Sequence, residues 1–573
     1  MNAPVTPVML ETNGFVPFNL ADFYKTGHPS MYPAGTTKLV ANFTPRSAKY
    51  APVLPELFDG KIVWFGLQGF IKEFFLDVFN REFFGAETKS QAVRKYKRRM
   101  DNSLGKAKVS VANLEALYEL GYLPLEVRAL PEGARVNIKV PPVIFISTHD
   151  DFPWISTYIE TIFSAENWKP STVATIAFEF RKLLTYFAKV TGAPEEFIDW
   201  QGHDFSMRGM SGVRDAMRCG GGHNLSFTGT DTIPAIDYLE DFYCANSDLE
   251  IVGGSIPATE HSVMTLRILL ALKHITGDPA NADKDEKALR RIAEREVVRE
   301  LVTQDYPAGM LSIVADSFDY WNTITVVARE LKDEIMTREP DELGCCKIVF
   351  RPDSGDPVKI LSGYFPEELV CDDAGTPLAG ADGLYEVDDD SRVRITDAER
   401  KGSVECLWDI YGGTTTATGF KVLDSHVGLI YGDSISLPRA RNILQRLARK
   451  GFASCNVVFG IGSYTYNMLS RDTFGWAMKA IYAEVDGEQI AIYKDPATDD
   501  GTKKSAKGLL RVEKEGSDYV LHEEQTIEQF EGGELVPVFR DGKLLVETTL
   551  AEMRARLRAS WTCPEAGSVV WAV

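Results

Sequence analysis

Short apolar runs that end in polar turns recur along the second half of the chain. They are "SIVADSFD" (312–319), "CKIVFRPDSGDP" (346–357), "VGLIYGDSIS" (427–436) and "NVVFGIGSYTYNMLSRD" (456–472). A strand without apolar–polar alternation is typical of a parallel sheet that is buried on both faces. In α/β barrels the loops at the carboxyl ends of such strands carry the chemistry. The pattern therefore predicts an irregular α/β barrel, with an open doubly wound sheet as the alternative.

The two ends of the chain have a different pattern. Residues 480–496 and 536–547 are strand–turn–strand sequences with Asp-Gly turns, and residues 125–148 are also rich in strand formers. Residues 158–190 carry apolar positions at helical spacing, which predicts one or two long helices. We expect a β-rich α+β domain and an α/β barrel catalytic domain. Their predicted limits are 1–180 plus 475–573 for the first and 181–474 for the second.

Composition narrows the class of protein. The 573 residues are 44% apolar and 25% charged, which is ordinary for a globular chain, and the formal net charge is −20. Such a charge disfavours a general nucleic-acid binder but still allows a local cationic pocket for an anionic substrate. We expect no signal peptide and no membrane span, and eight cysteines without a CxxC pair indicate reduced thiols. These features predict a cytoplasmic protein.

Two segments are dense in charge but carry none of the candidate motifs. Residues 277–300 combine many charges with a helical pattern, which predicts a helix with a solvated face. Residues 372–402 are acidic and rich in turn formers. We expect both segments to be additions on the surface.

Several of the strand ends carry candidate chemistry. In "FRPDSGDP", Arg351 offers a planar fork for a phosphate, a carboxylate or an aromatic face, and Asp353 can hold ribose hydroxyls or Mg²⁺. Asp433 of "IYGDS" suits a ribose diol or a metal. The Gly-x-Gly loop around Gly462 can bring backbone N–H groups to an anion. Each residue also has a structural alternative, as a salt bridge, a helix cap or a turn.

Further candidates lie outside these four runs. Phe205 in "GHDFSMRGMSG" can stack on an aromatic ring; a core phenylalanine beside a local His–Asp pair is the alternative that this motif alone favours. Asp231 in "FTGTDT" and Tyr24 in "ADFYKTGHPSMYP" have a turn and a sheet edge as their alternatives. His261 in "SIPATEHSVM" can do chemistry or cap a helix; a surface histidine without a function is the alternative that this motif alone favours. Together, the aromatic, acidic and basic candidates fit a ribose-phosphate transfer site on a barrel.

In their order along the chain, these motifs resemble the nicotinate/nicotinamide phosphoribosyltransferase family. The resemblance runs through "DFYKTGHPSMYP", "WFGLQGFI", "RALPEG", "YIETI", "HDFSMRG", "FTGTDT", "SIPATEHS", "VADSFD", "FRPDSGDP", "IYGDS", "FGIGSY…LSRD", "YKDP" and "VFRDGKL". It covers nearly the whole chain, and the ordered set is far more specific than any single motif. It implies the type II phosphoribosyltransferase barrel with its β-rich domain.

The resemblance also implies an activity. The expected enzyme joins nicotinamide to 5-phosphoribosyl-1-pyrophosphate and releases nicotinamide mononucleotide and pyrophosphate, a step of NAD salvage. Mg²⁺ is the expected cofactor and ATP a co-substrate, whose hydrolysis is coupled through a phosphohistidine. The expected assembly is a head-to-tail homodimer whose active sites use both subunits. No nucleic acid and no membrane is expected as a partner.

Family roles can be transferred to positions of this sequence. His261 would accept the phosphate, Asp316 would orient it, Arg351 would lie beside the pyridine ring, and Asp353 would hold ribose, pyrophosphate and Mg²⁺. The implied substrate-binding residues are Asp22, Tyr24, Phe205, Arg208, Asp231, Ser255, Ser312, Gly432, Asp433, Gly462, Ser463, Arg471 and Lys479.

Within this set, Phe205 and the partner subunit's Tyr24 would sandwich the pyridine ring. Gly432 and Asp433 would hold the ribose, and Ser255 and Ser312 would line the histidine pocket. The implied phosphate contacts are Arg208, Gly462, Ser463, Arg471 and Lys479, the last two matching partner-subunit residues.

Asp231 would accept a hydrogen bond from the carboxamide. An ionised carboxylate there repels nicotinate and favours the neutral amide, and family members that use nicotinate differ at this position. The alternatives are a nicotinate phosphoribosyltransferase and a non-catalytic metabolite-binding protein on the same fold. The chain departs from the family in the loop "GIGSYTY", which has fewer glycines, and at Ser206 and Met207, where relatives often carry Gly-Tyr.

Overall fold

The computed structural model describes residues 15–342, 344–494 and 505–571, so the last two residues of the "YKDP" motif (493–496) lie outside the described part. At its centre is a five-stranded parallel sheet. In spatial order its strands are Gly202–Asp204, Val457–Ile461, Val427–Tyr431, Ile348–Arg351 and Leu311–Val314. Four of them are the apolar runs, and they are almost wholly buried.

Isolated parallel bridges continue this sheet at both edges. Asp204 pairs with Thr230, Gly229 with Gly254, and Ala258 with Ser312. The segments around 230 and 254–258 therefore connect the first strand of the sheet to the last and close it into an irregular barrel. The predicted α/β barrel is confirmed, and the open doubly wound alternative is wrong.

The second large sheet is built from strands of both ends of the chain. In spatial order they are Glu488–Ala491, Ala477–Val485, Thr36–Thr44, Val143–Ser147, Leu125–Ala129, Val536–Arg540 and Lys543–Leu544. All neighbouring strands run antiparallel. The two predicted Asp-Gly hairpins are present, with positive φ at both turn residues as a type I′ turn requires. The β-rich part is therefore confirmed.

Helices cover both sheets. Those of nine or more residues are Lys89–Leu104, Ala112–Leu120, Glu160–Thr191, Val213–His223, Ile233–Tyr243, His261–Thr276, Glu286–Glu300, Ser403–Tyr411, Leu437–Arg449 and Leu550–Ala559. The 32-residue helix Glu160–Thr191 passes through residue 180, so the predicted domain limit there falls inside one continuous helix. Both domain limits stay predictions. None of the described helices is long and apolar enough to cross a membrane.

The smaller strand pairs complete the fold. They are Lys61–Val63 with Arg135–Asn137, Tyr385–Glu386 with Arg394–Ile395, Gly413–Thr415 with Lys421–Leu423, and Arg511–Glu515 with Asp518–His522. The acidic segment 372–402 is mostly exposed around one of these pairs. By contrast, the helix within 277–300 is solvated on one side only, because Leu289, Ala293 and Val297 on its other side are buried in the core.

Candidate active site

Most of the predicted site residues lie at one rim of the barrel. The residues found just beyond the carboxyl ends of the five strands are Phe205, Asp316, Asp353, Gly432, Asp433, Gly462 and Ser463. Because all five strands are parallel, their carboxyl ends meet at the same rim. The barrel thus collects side chains that are more than 200 residues apart in sequence.

The ring of Phe205 occupies space that two neighbouring glycines leave open. A Cβ atom on Gly432 would lie 2.8 Å from Cδ2 of Phe205, and a Cβ on Gly460 would collide with the same ring. The ring of His203 packs against it edge-on, with the ring centroids 4.9 Å apart. The phenylalanine is only partly buried. One of its faces is therefore available to stack on a planar ligand.

Asp231 lies in a hydrogen-bonded cluster beside this ring. His203 Nε2 donates to its Oδ1 at 2.9 Å, and the hydroxyl of Ser255 donates to the same oxygen at 2.5 Å. Burial raises the pKa of Asp231, but these two hydrogen bonds and the charge of Arg351 outweigh burial and bring it below its ordinary value. The group is consequently a carboxylate at neutral pH.

His261 begins its helix at the rim and contacts Asp316. Its Nε2 lies 3.1 Å from Oδ1 of Asp316, and the histidine side chain is 48% exposed while that of Asp316 is 5% exposed. The second oxygen of Asp316 accepts hydrogen bonds from the backbone N–H of Asp353 at 3.0 Å and from the Ser354 hydroxyl at 2.6 Å. Glu260, the acidic neighbour of His261 in sequence, instead accepts from the Ser262 hydroxyl.

Arg351 and Ser312 are tied to the segment that leads to His261. Arg351 Nη2 donates to the carbonyl oxygen of Thr259 at 3.1 Å. Backbone N–H groups join Ser312 to Pro257 and Thr259 to Ser312, each at 2.9 Å. Within the described residues, Arg351 Nε and the Ser312 hydroxyl are buried without a hydrogen-bond partner. Arg351 and Ser312 thus both contact the segment 257–259 that leads to His261.

The loop of Gly462 and Ser463 approaches the turn that carries Arg208. A Cβ on Gly209 would collide with the side chain of Ser463, so the two backbones are in close contact. Arg208 is exposed, and no ion pair to it occurs in the described part of the chain. Its guanidinium is therefore free to bind an anion beside the Gly462–Ser463 loop.

The remaining predicted residues form a second group on the β-rich part. Lys479 lies on the strand Ala477–Val485, with Nζ 3.6 Å from Oε1 of Glu160. Lys25 lies 2.5 Å from the other oxygen of Glu160. Burial lowers the pKa of Lys479, and the Glu160 charge offsets part of this effect. Tyr24, next to Lys25, is 60% exposed.

Asp22 and Arg471 belong to this second group as well. Asp22 accepts a hydrogen bond from the Thr161 hydroxyl at 2.9 Å. Arg471 is exposed, and its charge acts on the Tyr24 phenol, whose pKa is nonetheless raised, chiefly by burial and then by Glu160 and Asp22. Among the described residues, no hydrogen bond, ion pair or ring contact joins this group to the barrel rim. Within the described residues of one subunit, the predicted residues therefore form two sets without a direct contact between them.

Sequence reasoning missed the role of His203. The motif alone suggested a local pair with Asp204, but consecutive strand residues point to opposite faces. His203 instead bonds to Asp231, 28 residues further on. Ser354 and Thr259 were also missed, although both lie inside quoted motifs. The positions of Ser354 in a Pro-Asp-Ser-Gly turn and of Thr259 near His261 were the available indications.

Comparisons with known proteins identify the family of this chain. The profile of the nicotinate phosphoribosyltransferase (NAPRTase) family matches residues 200–533. The nicotinamide phosphoribosyltransferase of Acinetobacter baylyi is 49% identical over 541 residues, which cover 94% of this chain and 97% of that protein. The protein of the same name from Xanthomonas campestris is 29% identical, covering 94% and 97%.

Solved structures are similar at much lower identity. The nicotinate-nucleotide pyrophosphorylase from Pyrococcus furiosus superposes with a TM-score of 0.49 at 13% identity, covering 97% of this chain and 98% of that one. Human nicotinic acid phosphoribosyltransferase gives 0.48 at 15% identity, covering 94% and 93%. The fold assignment rests on the strand pairing of this chain itself.

The barrel rim and the sequence relatives together define an enzyme of the phosphoribosyltransferase class. The chain belongs to the nicotinate phosphoribosyltransferase family. The alternative of a non-catalytic metabolite-binding protein is therefore wrong.

Proposed function

We propose that this enzyme joins nicotinamide to 5-phosphoribosyl-1-pyrophosphate and releases nicotinamide mononucleotide and pyrophosphate, a salvage step toward NAD. The observation that carries the proposal is the hydrogen-bonded carboxylate of Asp231 beside the available face of Phe205. The names of the relatives from Acinetobacter baylyi and Xanthomonas campestris support the same choice.

The choice of nicotinamide over nicotinate follows from charge. His203 and Ser255 already occupy Oδ1 of Asp231 and favour its ionised form, which leaves Oδ2 to accept a hydrogen bond from a carboxamide N–H. A nicotinate carboxylate at the same place would meet a like charge and would offer no donor. Nicotinate phosphoribosyl transfer is the second candidate because it is the activity that names the matching family.

The chain's own residues position the reactants. Phe205 stacks on the pyridine ring and Asp231 fixes its rotation, so the ring nitrogen is aimed at C1 of the ribose. That nitrogen carries no proton, and no general base is needed. Arg208 stabilises negative charge as pyrophosphate departs and the ribose gains oxocarbenium character, while Arg351 lies beside the ring and helps to position it.

The carboxylates at the rim fit Mg²⁺. Asp353 and Asp433 are both exposed, and a Cβ on Gly432 would lie 3.9 Å from Oδ1 of Asp353, so the two loops are neighbours. Exposed carboxylate oxygens are ligands that Mg²⁺ prefers, together with waters and substrate phosphates. When bound there, Mg²⁺ would neutralise charge on the pyrophosphate.

The group of three possible metal ligands found among the described residues, Glu513, Glu515 and His522, lies on another hairpin. It includes none of the residues proposed for catalysis. The residue proposed to hold Mg²⁺ is Asp353 at the rim, with Asp433 on the neighbouring loop.

ATP coupling is proposed to run through His261. Asp316 is an acceptor when ionised, so the proton on the His261 ring is held at Nε2 and Nδ1 keeps its lone pair. Nδ1 is then the nucleophile that attacks the γ-phosphorus of ATP; the N–P bond forms, the bond to the ADP oxygen breaks, and water later cleaves the N–P bond. A half-exposed ring gives the phosphoryl group room.

The second group of residues is proposed to complete the site of a partner subunit. Tyr24 would cover the face of the pyridine opposite Phe205, and Arg471 and Lys479 would contact phosphates. The exposure of Tyr24 and the separation of the two groups within one subunit support a homodimer with shared active sites.

A turnover assay tests the substrate. Purified enzyme is given 5-phosphoribosyl-1-pyrophosphate, Mg²⁺ and ATP with either nicotinamide or nicotinate, and the mononucleotide is quantified. We expect a higher kcat/KM with nicotinamide. Turnover of nicotinate with none of nicotinamide would establish the second candidate instead.

A further inference from the structure

Two fully buried side chains connect the segment that follows Gly462 and Ser463 with the turn that carries Asp231. The hydroxyl oxygen of Tyr466 lies 2.8 Å from Nδ1 of His223, and Nε2 of His223 lies 3.0 Å from the carbonyl oxygen of Gly229. Tyr466 and His223 are both 0% exposed. Gly229 is two residues before Asp231, so this chain of hydrogen bonds runs behind the barrel rim from one side of the site to the other.

The donor and the acceptor in each of these two hydrogen bonds are fixed. The Gly229 carbonyl only accepts, so His223 carries its proton at Nε2 and its Nδ1 accepts from the Tyr466 hydroxyl. Burial lowers the pKa of His223 and raises that of Tyr466, which keeps both groups neutral. Every polar atom of the two side chains is thus satisfied in this one arrangement.

Neighbouring residues fix the same segment to two further loops. Thr465 Oγ1 donates to the carbonyl oxygen of Ile435 at 2.5 Å, two residues after Asp433. Asn467 Nδ2 donates to the carbonyl oxygen of Gly209 at 2.9 Å.

Lys169 and Ser211 in turn donate to Oδ1 of Asn467, at 2.7 Å and 3.3 Å. The segment 463–467 therefore contacts the loops of Asp433 and Arg208 directly and reaches the Asp231 turn through His223.

The loop "GIGSYTY" has glycines at its start and side chains that form hydrogen bonds in its second half. Here the side chains of Thr465 and Tyr466 anchor the loop from behind, while the backbone at Gly462 and Ser463 remains at the rim.

We infer that Tyr466 and His223 are positioning residues that couple phosphate binding at the Gly462–Ser463 loop to the geometry of the Asp231 turn. The inference rests on the proposed function, which places a phosphate at that loop and nicotinamide at Asp231. A phosphate bound at Gly462 and Ser463 further restrains the segment that carries Tyr466, and through His223 it restrains the carbonyl of Gly229. By linkage, each ligand then tightens the binding of the other.

Binding of nicotinamide with and without ribose 5-phosphate tests the coupling. Ribose 5-phosphate has no leaving group, so the pair cannot react. Calorimetry should show nicotinamide binding about fivefold or more tighter when ribose 5-phosphate is saturating. In Tyr466→Phe, which loses only the hydroxyl, this ratio should fall toward one. The control Tyr464→Phe changes an exposed tyrosine of the same loop and should keep the wild-type ratio.

A glutamine can donate to Gly229 and accept from Tyr466, so His223→Gln should retain part of the coupling. Should Tyr466→Phe not fold, His223→Phe removes the same hydrogen bond from the other side, together with the one to Gly229, and replaces it in the comparison. An unchanged ratio in the hydroxyl-deleted protein, or no coupling in the wild type, would overturn the inference.

Wild-type turnover, measured in parallel, separates this result from the proposed function. An enzyme that turns over nicotinamide but shows equal coupling in all variants loses only the positioning role of Tyr466 and His223. An enzyme that neither binds nor turns over nicotinamide loses the proposed function itself.

Discussion

One carboxylate, that of Asp316, contacts His261 and also holds the turn that follows the strand of Arg351. Its Oδ1 lies 3.1 Å from Nε2 of His261, and its Oδ2 accepts from Asp353 and Ser354. A buried acid that bonds to two loops fixes their relative position. The ring proposed to be phosphorylated is thereby kept in register with the residues proposed to hold ribose and Mg²⁺.

Replacement of His261 should separate ATP stimulation from basal transfer. In His261→Ala the proposed phosphate acceptor is lost, so addition of ATP should no longer raise the rate, while slow transfer without ATP persists because Phe205 and Asp231 are intact. Initial rates with and without ATP give the comparison. His274→Ala, an exposed histidine on the same helix, is the control. Full ATP stimulation in His261→Ala would assign the histidine to the surface.

Replacement of Asp231 should alter substrate choice. Asp231→Ala removes both the acceptor for the carboxamide and the charge that repels nicotinate, so the ratio of kcat/KM for nicotinamide to that for nicotinate should fall at least about tenfold. Ser255→Ala, which leaves the carboxylate and His203 in place, should change the ratio less. If Asp231→Ala kept the wild-type ratio, the selectivity would have to originate elsewhere.

Addition of one methyl group should displace the stacking ring. In Gly432→Ala the new Cβ would lie 2.8 Å from Cδ2 of Phe205, closer than van der Waals contact allows, so the phenylalanine must move. We expect KM for the pyridine substrate to rise about tenfold, since a misplaced contact loses orientation as well as binding. Gly277→Ala, where the nearest atom is 3.5 Å away, is the control. An unchanged KM in Gly432→Ala would remove Phe205 from the binding site.

Co-expression of two inactive variants should test the shared site. Tyr24→Ala and Phe205→Ala each damage one face of the proposed ring sandwich. If the faces come from different subunits, a mixed dimer has one site with both lesions and one intact site, and random pairing restores about a quarter of the wild-type activity. Steady-state rates of the whole co-expressed mixture, purified without selecting for mixed dimers and normalised to total protein, give the measurement. Activity no higher than that of the separate variants would place both rings on one subunit.

The stability of the protein should depend on Glu294. Burial, which outweighs hydrogen bonds from Thr323 and Asn322, raises the pKa of this carboxyl to about 7. The folded state then holds the proton more tightly than the unfolded chain does. The resulting contribution to the free energy of unfolding is complete below pH 4.5 and is lost as the pH rises to about 7.

Between pH 5 and pH 8 the free energy of unfolding of the wild type should therefore fall relative to Glu294→Gln by about 2 to 3 kcal/mol. Denaturant titrations at both pH values measure this difference. Glu296→Gln, on the same helix and more exposed, is the control. A difference that does not change with pH would mean that Glu294 is ionised in the folded protein.

The apolar runs and the Asp-Gly turns were sufficient to predict both sheets. Four strands of the barrel are nearly continuous apolar sequences because helices cover them on one side and the barrel core on the other. The short strand Gly202–Asp204 and the bridging segments near 230 and 254–258 could not be predicted this way. Their few residues pair with neighbours that are distant in sequence, so no local periodicity marks them.

The candidate site shows the same division. The order of motifs along the chain indicated His261, Asp316 and Asp231 as candidates, because each of these residues lies in a distinctive local sequence. The pairing of His203 with Asp231 was not predictable, since 28 residues separate them and His203 has an acidic neighbour, Asp204, in sequence.

What the sequence by itself determined is the set of chemical groups and the two kinds of sheet, because these depend on residue type and short-range periodicity. The tertiary structure alone decided which groups meet. Parallel strands bring their carboxyl ends to one rim and place Asp316 between His261 and the turn after Arg351. The burial of Tyr466 against His223 likewise depends on contacts 243 residues apart, which only the closed barrel creates.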